Sequence, residues 1–209
     1  MEKVKIFVVG GATEYASWID NHVLVDNIED ADIVLFTGGE DVDPSMYKKE
    51  KHPRTVSNIR RDEEEMKIFK SIKPHQLALG ICRGSQFLCV ANGGILVQDC
   101  TGHAIYGTHE ITNGEIVTSI TSTHHQMQYP YTINKKYYDI LYRALPERSH
   151  YYDGDGVRRP NEEPEIVLYK VEGNPVSLAI QGHPEIMRKD APVINILNEL
   201  VSKCVQEIR

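Results

Sequence analysis

Short apolar segments alternate with helix-compatible segments in the first half of this chain, and the alternation limits the folds that it can adopt. Four apolar runs are strand candidates: Lys3 to Gly10, Val23 to Val25, Asp32 to Thr37 and Gln76 to Ile81. Three segments favour helix: Thr13 to Asn21, Ser57 or Asn58 to about Ile72, and Gly84 to Ala91. This order predicts right-handed βαβ units around a parallel sheet, which is the α/β class.

The second half of the chain predicts strands of a different kind. Gly107 to Ser122 is rich in Thr and Ile, and it predicts an antiparallel hairpin around Asn113-Gly114. Further elements are three strands and a C-terminal amphipathic helix: Tyr137 to Ala144, Glu165 to Val171, Val176 to Ile180, and Asp190 to Ile208. Because the chain has no internal repeat and no recognisable linker, we expect residues 1–209 to form a single domain.

Composition excludes several classes of function. The 23 basic and 30 acidic residues give a net charge of −7 without a basic stripe, which disfavours binding of nucleic acid along its phosphates. The first apolar run is too short for a signal peptide or a membrane span. The four cysteines form no CxxC pair, so we expect free thiols in a reducing compartment. These features predict a cytoplasmic protein that binds neither nucleic acid nor a membrane.

The strongest chemical signal is Gly80-Ile81-Cys82-Arg83-Gly84, at a predicted strand-to-helix junction. It is the cysteine form of the nucleophile elbow G-x-S-x-G, in which we expect the two glycines to permit a sharp turn that exposes the thiol. The amides of the following helix would then face the sulfur and stabilise negative charge there. The alternative for such a motif is a buried structural cysteine, which is our interpretation of Cys89.

Two further segments can complete a nucleophilic site. His183-Pro184-Glu185 follows an apolar strand, and it offers an imidazole base with a carboxylate two residues away to orient the ring. Gly38-Gly39 can direct a backbone N–H into the cleft, where it would pair with the N–H of Arg83 as an oxyanion hole. The alternatives are a surface turn around Pro184 and a plain tight turn at the glycines.

These motifs occur in a characteristic order, and together they identify a resemblance. The ordered segments are Thr37 to Pro44, Arg61-Asp62, Gly80 to Gln86, Gly93-Gly94 with Gln98-Asp99, His124-His125-Gln126, and Gln181 to Glu185. The set resembles the class I glutamine amidotransferase superfamily, and most of all its branch of gamma-glutamyl-gamma-aminobutyrate hydrolase and related gamma-glutamyl hydrolases. The resemblance covers about three quarters of the chain, from roughly residue 30 to residue 187.

The resemblance implies a flavodoxin-like three-layer sandwich with a mostly parallel central sheet and a small antiparallel addition. It implies that Cys82 is the nucleophile, His183 the general base and acid, and Glu185 the residue that orients His183. The amides of Gly39 and Arg83 would form the oxyanion hole. The implied contacts to the gamma-glutamyl group are Gly38, Gln86, His124, His125 and Gln126. Attack on the gamma-carbonyl would release ammonia or an amine and leave a thioester for water, without a metal or an organic cofactor.

The chain departs from the family pattern at three points. Members commonly carry an aromatic residue before the histidine, where this chain has Gly182, which would remove a wall of the cleft or make room for a different leaving group. Ser122-Thr123 replaces the common Asn-Ser before the histidine pair. The chain is also shorter than typical hydrolases of the branch and nearer in length to compact glutaminase subunits that supply ammonia to a separate synthetase.

Three functions therefore compete. The first is hydrolysis of glutamine as the ammonia-supplying half of an amidotransferase, with a separate synthetase or acceptor protein as partner. The second is a free-standing hydrolase of gamma-glutamyl amines or peptides. The third is a non-catalytic binding or regulatory module of the same fold, which is disfavoured because Cys82, His183 and Glu185 are all present.

Other polar clusters support simpler interpretations. His103, His109, His124 and His125 show no zinc-site spacing, so the sequence predicts no metal site. Residues 61–65 are interpreted as a solvated helix face with an i, i+4 pair between Arg61 and Glu65. The resemblance adds a bracing role for Arg61-Asp62 on the loop from Glu40.

Overall fold

A nine-stranded sheet forms the centre of the structure, a computed structural model that describes residues 3–209. The chain contains thirteen strands over these residues: β1 (Val4–Val8), β2 (His22–Leu24), β3 (Ile33–Phe36), β4 (Leu77–Ile81), β5 (Ile95–Val97), β6 (Asp99–Cys100), β7 (Ala104–Thr112), β8 (Val117–Thr123), β9 (Met127–Tyr129), β10 (Tyr138–Leu145), β11 (Tyr152–Asp153), β12 (Pro164–Tyr169) and β13 (Ser177–Ile180). The order in the central sheet is β2-β1-β3-β4-β13-β12-β10-β7-β8, while β5 with β9 and β6 with β11 form two small antiparallel pairs.

The central sheet has a parallel half and an antiparallel half. The pairs from β2 to β13 are parallel, as the strand–helix alternation predicts. The pairs from β13 to β8 are antiparallel, and β7 and β8 form the predicted hairpin. The antiparallel half is thus larger than the small addition expected, because β12 pairs directly with β13 and continues the same sheet.

Helices cover both faces of this sheet and create the three layers that the sequence predicts. The helices α1 (Ile59–Ser71) and α2 (Arg83–Ala91) pack on one face, where Phe36, Phe69 and Phe87 meet. The helix α3 (Pro192–Ile208) covers the other face through its apolar side. Every residue of β4 is buried, as expected for a parallel strand between two helical layers. No helix within residues 3–209 is both long and apolar enough to cross a bilayer.

Two helix predictions have different outcomes. Asn58, one of the two predicted caps, begins α1 by accepting a hydrogen bond from the Arg61 N–H. The helix predicted over Thr13 to Asn21 is limited to one 3₁₀ turn, Thr13–Ala16. The chain must already return at His22, because β2 pairs there with Val4 of β1, so too few residues remain for an α-helix.

The glycines of the elbow allow α2 to approach the sheet closely. A Cβ atom at Gly84 would lie 2.2 Å from the Phe36 carbonyl oxygen on β3, and one at Gly80 would lie 2.5 Å from the Gly84 carbonyl oxygen. Both of these carbonyl oxygens belong to the backbone, so they cannot move away by a change of rotamer. The two glycines therefore permit the close packing of α2 against the sheet. The motif had instead predicted that they permit the sharp turn at Cys82.

We expect Gly84→Ala to destabilise the fold by about 1–3 kcal/mol, because the new methyl group forces α2 away from β3. The matched control is Gly107→Ala, where the nearest atom to a new Cβ is 3.8 Å away and the expected change is within about 0.5 kcal/mol. Urea unfolding of both variants measures the difference. Equal stabilities for the two variants would contradict the close-packing role of Gly84.

Candidate active site

Cys82 occupies a strained turn between β4 and α2. Its backbone has φ 51° and ψ −110°, a conformation that residues with a side chain rarely adopt and that clusters at functional sites. The surrounding chain holds the turn: the Cys82 N–H donates to the Ile180 carbonyl of β13, and the Cys82 carbonyl accepts from the Ser85 hydroxyl at 2.6 Å. The strain thus lies at the cysteine itself, and it directs the thiol to the carboxyl edge of the sheet.

His183 and Glu185 lie just beyond the end of β13 in a short 3₁₀ turn. The His183 Nδ1 atom is 2.6 Å from the Glu185 Oε1 atom, and both side chains are largely buried. Strand β8 holds the histidine backbone from the other side: the Thr121 hydroxyl accepts from the His183 N–H at 2.7 Å and donates to the His183 carbonyl at 3.1 Å. Glu185 therefore fixes the imidazole ring of His183, and Thr121 fixes its backbone.

The protonation of His183 depends on two neighbours. Burial by itself lowers the pKa of His183, but hydrogen bonds to Cys82 and Glu185 outweigh burial and raise the pKa to about 10. The structure thus brings the three residues of the predicted triad together, with His183 hydrogen bonded to Glu185 and close to Cys82. In this group the imidazole can hold a proton next to the sulfur.

The position before the histidine is closed rather than open. A Cβ atom at Gly182 would lie 2.6 Å from the Ile120 side chain and 2.7 Å from the Thr121 carbonyl oxygen, both on β8. The expectation that Gly182 removes a wall of the cleft or makes room for a leaving group is therefore wrong. Glycine is required here because β8 comes close enough to hold His183.

The Gly38-Gly39 loop after β3 is held by Arg61 of α1. Arg61 Nη2 donates to the Gly38 carbonyl at 3.0 Å and to the Thr37 carbonyl at 3.3 Å, while Nη1 lies 3.2 Å from a Glu40 carboxylate oxygen. Gly39 has φ +143°, and a Cβ there would lie 2.2 Å from Arg61 Nη1. These contacts agree with the bracing role implied for Arg61, and they leave no room for a side chain at Gly39.

Arg83 joins the elbow to the same helix. Its side chain is 1% exposed and forms ion pairs with Asp62, which is 0% exposed, and with Glu65, which is 3% exposed. Glu65 also accepts from Arg61 Nε at 2.8 Å, the i, i+4 pair that the sequence indicated. The interpretation of residues 61–65 as a solvated face is wrong for Asp62 and Glu65, because the buried guanidinium of Arg83 lies between α1 and α2 and pairs with both.

The implied substrate contacts divide into buried and accessible side chains. Gln86 donates to the Gln126 carbonyl at 3.0 Å, and the Gln126 side chain donates to the Thr55 hydroxyl at 3.0 Å, so both side chains are buried in contacts within the protein. Burial lowers the pKa of His124 to about 3 and keeps its ring neutral. His125 is half-buried, and the structure leaves part of its ring accessible.

His125 is held between two acidic residues. Its Nε2 atom lies 3.3 Å from Asp41 Oδ1, and its Nδ1 atom lies 3.3 Å from Asp99 Oδ1. Hydrogen bonding to Asp41 is the largest cause of a raised pKa for His125. Of the histidine pair, His125 is thus the member that a substrate can reach from solvent.

Tyr15 belongs to this site, although the sequence argument did not select it. A Cβ atom at Gly38 would lie 2.6 Å from the Tyr15 hydroxyl, and the Tyr15 ring centroid lies 6.2 Å from that of His183. Burial, with Glu185 and Cys82 nearby, raises the pKa of Tyr15, so its hydroxyl stays protonated. A usable signal was its position just after β1, because ligand sites form at the carboxyl ends of parallel strands.

Comparison with known proteins identifies relatives of this chain. The family model for Peptidase C26 matches residues 10–142, a range that includes Cys82 and ends before His183. Protein NtpR of Enterococcus hirae is 26% identical over 166 residues, covering 71% of this chain and 68% of that protein. The glutamine amidotransferase-like protein YvdE of Lactococcus lactis is 30% identical over 166 residues, covering 74% of this chain and 66% of that protein. The chain thus spans about two thirds of the length of these relatives.

Solved structures share the fold at low identity. A candidate GMP synthase component from Thermoplasma acidophilum superposes with a TM-score of 0.61 and 16% identity, covering 99% of this chain and 96% of that one. A glutamine amidotransferase from Thermotoga maritima superposes with a TM-score of 0.56 and 14% identity, covering 97% and 86%. These likenesses show the flavodoxin-like α/β fold.

We expect Arg83→Met to destabilise the protein by about 3–5 kcal/mol, because it leaves the buried Asp62 carboxylate without its cation and Glu65 with only that of Arg61. The matched control is Arg188→Met, which removes an ion pair whose side chains are 84% and 70% exposed and should change stability by less than about 1 kcal/mol. Chemical unfolding at neutral pH measures both. If the two variants are equally stable, the buried network does not anchor the elbow.

Proposed function

Because the chain belongs to the Peptidase C26 family of the class I glutamine amidotransferase superfamily, we propose that it hydrolyses a gamma-glutamyl amide through a thioester on Cys82. The observation that carries the proposal is the grouping of Cys82 with the hydrogen-bonded pair His183 and Glu185 at the carboxyl edge of the sheet. A nucleophile, a base and a group that orients the base are the parts that acyl transfer to a thiol requires.

The proposed reaction has two halves. The Cys82 sulfur attacks the gamma-carbonyl carbon while His183 holds the proton that the thiol has passed to it, and the N–H groups of Gly39 and Arg83 stabilise the oxyanion that forms. His183 then gives its proton to the leaving nitrogen, so that the C–N bond breaks and ammonia or an amine departs. Water attacks the thioester with His183 as base, which releases glutamate and restores the thiol.

The other residues of the site have supporting roles in this proposal. Glu185 holds the proton on His183 Nδ1, so that the other ring nitrogen faces the sulfur. His125, with Asp41 and Asp99 beside it, is the accessible polar group proposed to meet the glutamyl part of the substrate. The hydrogen bond from Gln86 to the Gln126 carbonyl holds the backbone next to His125. Gly38 and Tyr15 cover the triad on the side of β1.

Two substrates fit this chemistry. Hydrolysis of glutamine, with ammonia passed to a separate synthetase, is the first, because glutamine amidotransferases occur among the relatives and the structural neighbours. A free-standing hydrolase of gamma-glutamyl amines or peptides is the second, and the order of motifs favours it through its likeness to the gamma-glutamyl hydrolase branch. The leaving group distinguishes the two.

Purified protein offered glutamine and a panel of gamma-glutamyl amines and peptides should release glutamate from at least one of them. Cys82→Ser should abolish turnover, because the hydroxyl lacks the nucleophilicity of the thiol, while the buried Cys89→Ser serves as the cysteine control and keeps it. Free ammonia, glutamate and amine are measured together.

The outcomes separate the candidates. Turnover of a gamma-glutamyl amine without turnover of glutamine supports the free-standing hydrolase and contradicts the amidotransferase. No turnover of any substrate, together with no adduct on Cys82 from a glutamine-mimicking electrophile, contradicts an enzyme and favours a binding or regulatory module.

We expect kcat/KM to stay high through neutral pH and to fall as pH rises through about 10, where His183 loses the proton that the leaving nitrogen needs. Glu185→Gln removes one of the two contacts that raise the pKa of His183, so the alkaline limb should move to lower pH and kcat should fall by about 10²–10⁴-fold. A pH–rate series on both proteins measures the shift. Exposed Glu172→Gln is the control, and an unmoved limb in Glu185→Gln would refute the role of Glu185.

A further inference from the structure

Five ionisable side chains from distant parts of the sequence meet in the protein interior beside strands β7, β8 and β12. The cluster consists of His103, His109, His124, Glu163 and Glu165, all of which are almost fully buried. His103 Nδ1 lies 3.4 Å from Glu165 Oε1, and the rings of His103 and His124 have centroids 4.6 Å apart and are tilted by 34°. The proposed hydrolysis uses His124 only as an implied contact, and it uses no other member of this cluster.

One nitrogen of His124 is buried beside the other residues of the cluster, and it has no hydrogen-bond partner among residues 3–209. Its Nδ1 atom lies 2.8 Å from the Gln126 carbonyl, which accepts a hydrogen bond from the Nδ1–H and therefore sets the tautomer. The Nε2 atom is then left with a free lone pair, and within the part of the chain that the structure describes it has no hydrogen-bond partner. Glu165 Oε2 is likewise buried without a partner among residues 3–209. Buried polar atoms without a partner need an explanation, and a bound ion is one that fits a nitrogen and a carboxylate oxygen in the same cluster.

We propose that His103, His124 and Glu165 bind a divalent transition-metal ion of the zinc type. Their donor atoms lie within 4.8 Å of one another. Ligand atoms around a tetrahedral ion with bonds of 2.0–2.1 Å are about 3.3 Å apart, so binding requires the most distant pair of donor atoms to approach each other by up to about 1.5 Å. Two imidazoles and one carboxylate form a donor set that suits zinc, and a water molecule would complete four-coordination.

The surroundings resemble those of a metal centre. Ligating histidines usually direct the second ring nitrogen at a carboxylate or a carbonyl, which fixes the ring. Here Glu163 Oε2 lies 3.3 Å from His103 Nε2, and the Gln126 carbonyl occupies that place for His124. His109 Nε2 lies 2.9 Å from Glu165 Oε1, where it can orient the carboxylate.

Such an ion would be structural. It would connect the residue before β7, the turn after β8 and the start of β12, three segments that are separate in the sequence. It would also place positive charge between two buried carboxylates, Glu163 and Glu165, and so reduce the free energy that their burial requires. Since Thr121 of β8 holds the His183 backbone, the ion would stabilise the strand that supports the triad.

The test uses the full-length Cys82→Ser variant, because a thiol beside His183 binds zinc by itself. The protein is stripped with a chelator and titrated with Zn²⁺, and with Mg²⁺ as the control ion. We expect about one Zn²⁺ per chain by elemental analysis after gel filtration. At free Zn²⁺ about 100 times the dissociation constant, Tm should rise by roughly 5–10 °C. If the protein carries no zinc after gel filtration, or if its Tm does not change, the proposal is overturned.

A matched pair of variants locates the ion. His124→Gln in the Cys82→Ser background should lose the zinc and the rise in Tm, whereas His125→Gln, one residue away and outside the cluster, should keep both. Loss in His125→Gln but not in His124→Gln overturns the site. If His124→Gln does not fold, the visible absorption spectrum of Co²⁺ added to Cys82→Ser tests the site instead. The bands of a four-coordinate nitrogen and oxygen site support the proposal, and the weak spectrum of hydrated Co²⁺ overturns it.

Discussion

The buried ion pairs of Arg83 with Asp62 and Glu65 are the interaction on which the candidate site depends. Arg83 is the first residue of α2 and follows Cys82 directly, so its side chain fixes the elbow against α1. Arg61, also on α1, pairs with Glu65 as Arg83 does, and it holds the Gly38-Gly39 loop through a hydrogen bond to the Gly38 carbonyl. Removing these charges from water is unfavourable, but the pairing holds the proposed nucleophile Cys82 and the Gly38-Gly39 loop against one helix.

The sheet brings the remaining parts to the same edge. β1, β3, β4 and β13 run parallel, so the segments that follow them lie side by side and present Tyr15, Gly38, Cys82 and His183. The antiparallel half completes this arrangement from the other side. β8 approaches so closely that only glycine fits at residue 182, and its Thr121 side chain holds the His183 backbone. A difference from the family pattern at Gly182 is thus matched by contacts from β8.

Residues whose roles follow from local sequence could be predicted, and those whose roles depend on distant neighbours could not. The elbow cysteine and the His183-Pro184-Glu185 segment each follow an apolar strand, a context visible within a few residues. The burial of Asp62 and Glu65 was missed because their partner lies about twenty residues away on another helix. The cluster of His103, His124 and Glu165 was missed for the same reason, because its members are far apart in the chain and form no short-range motif.

The sequence by itself determined the α/β class, the parallel sheet, the hairpin and the resemblance to the class I glutamine amidotransferases, because periodicity and turn chemistry act over short distances. Only the tertiary structure decided which charges are buried, which side chains of the histidine pair are accessible and how the space at Gly182 is filled. These properties arise where β8, β12, α1 and α2 meet. Packing there sets solvent access and partner geometry, and neither can be read from residues that are adjacent in the chain.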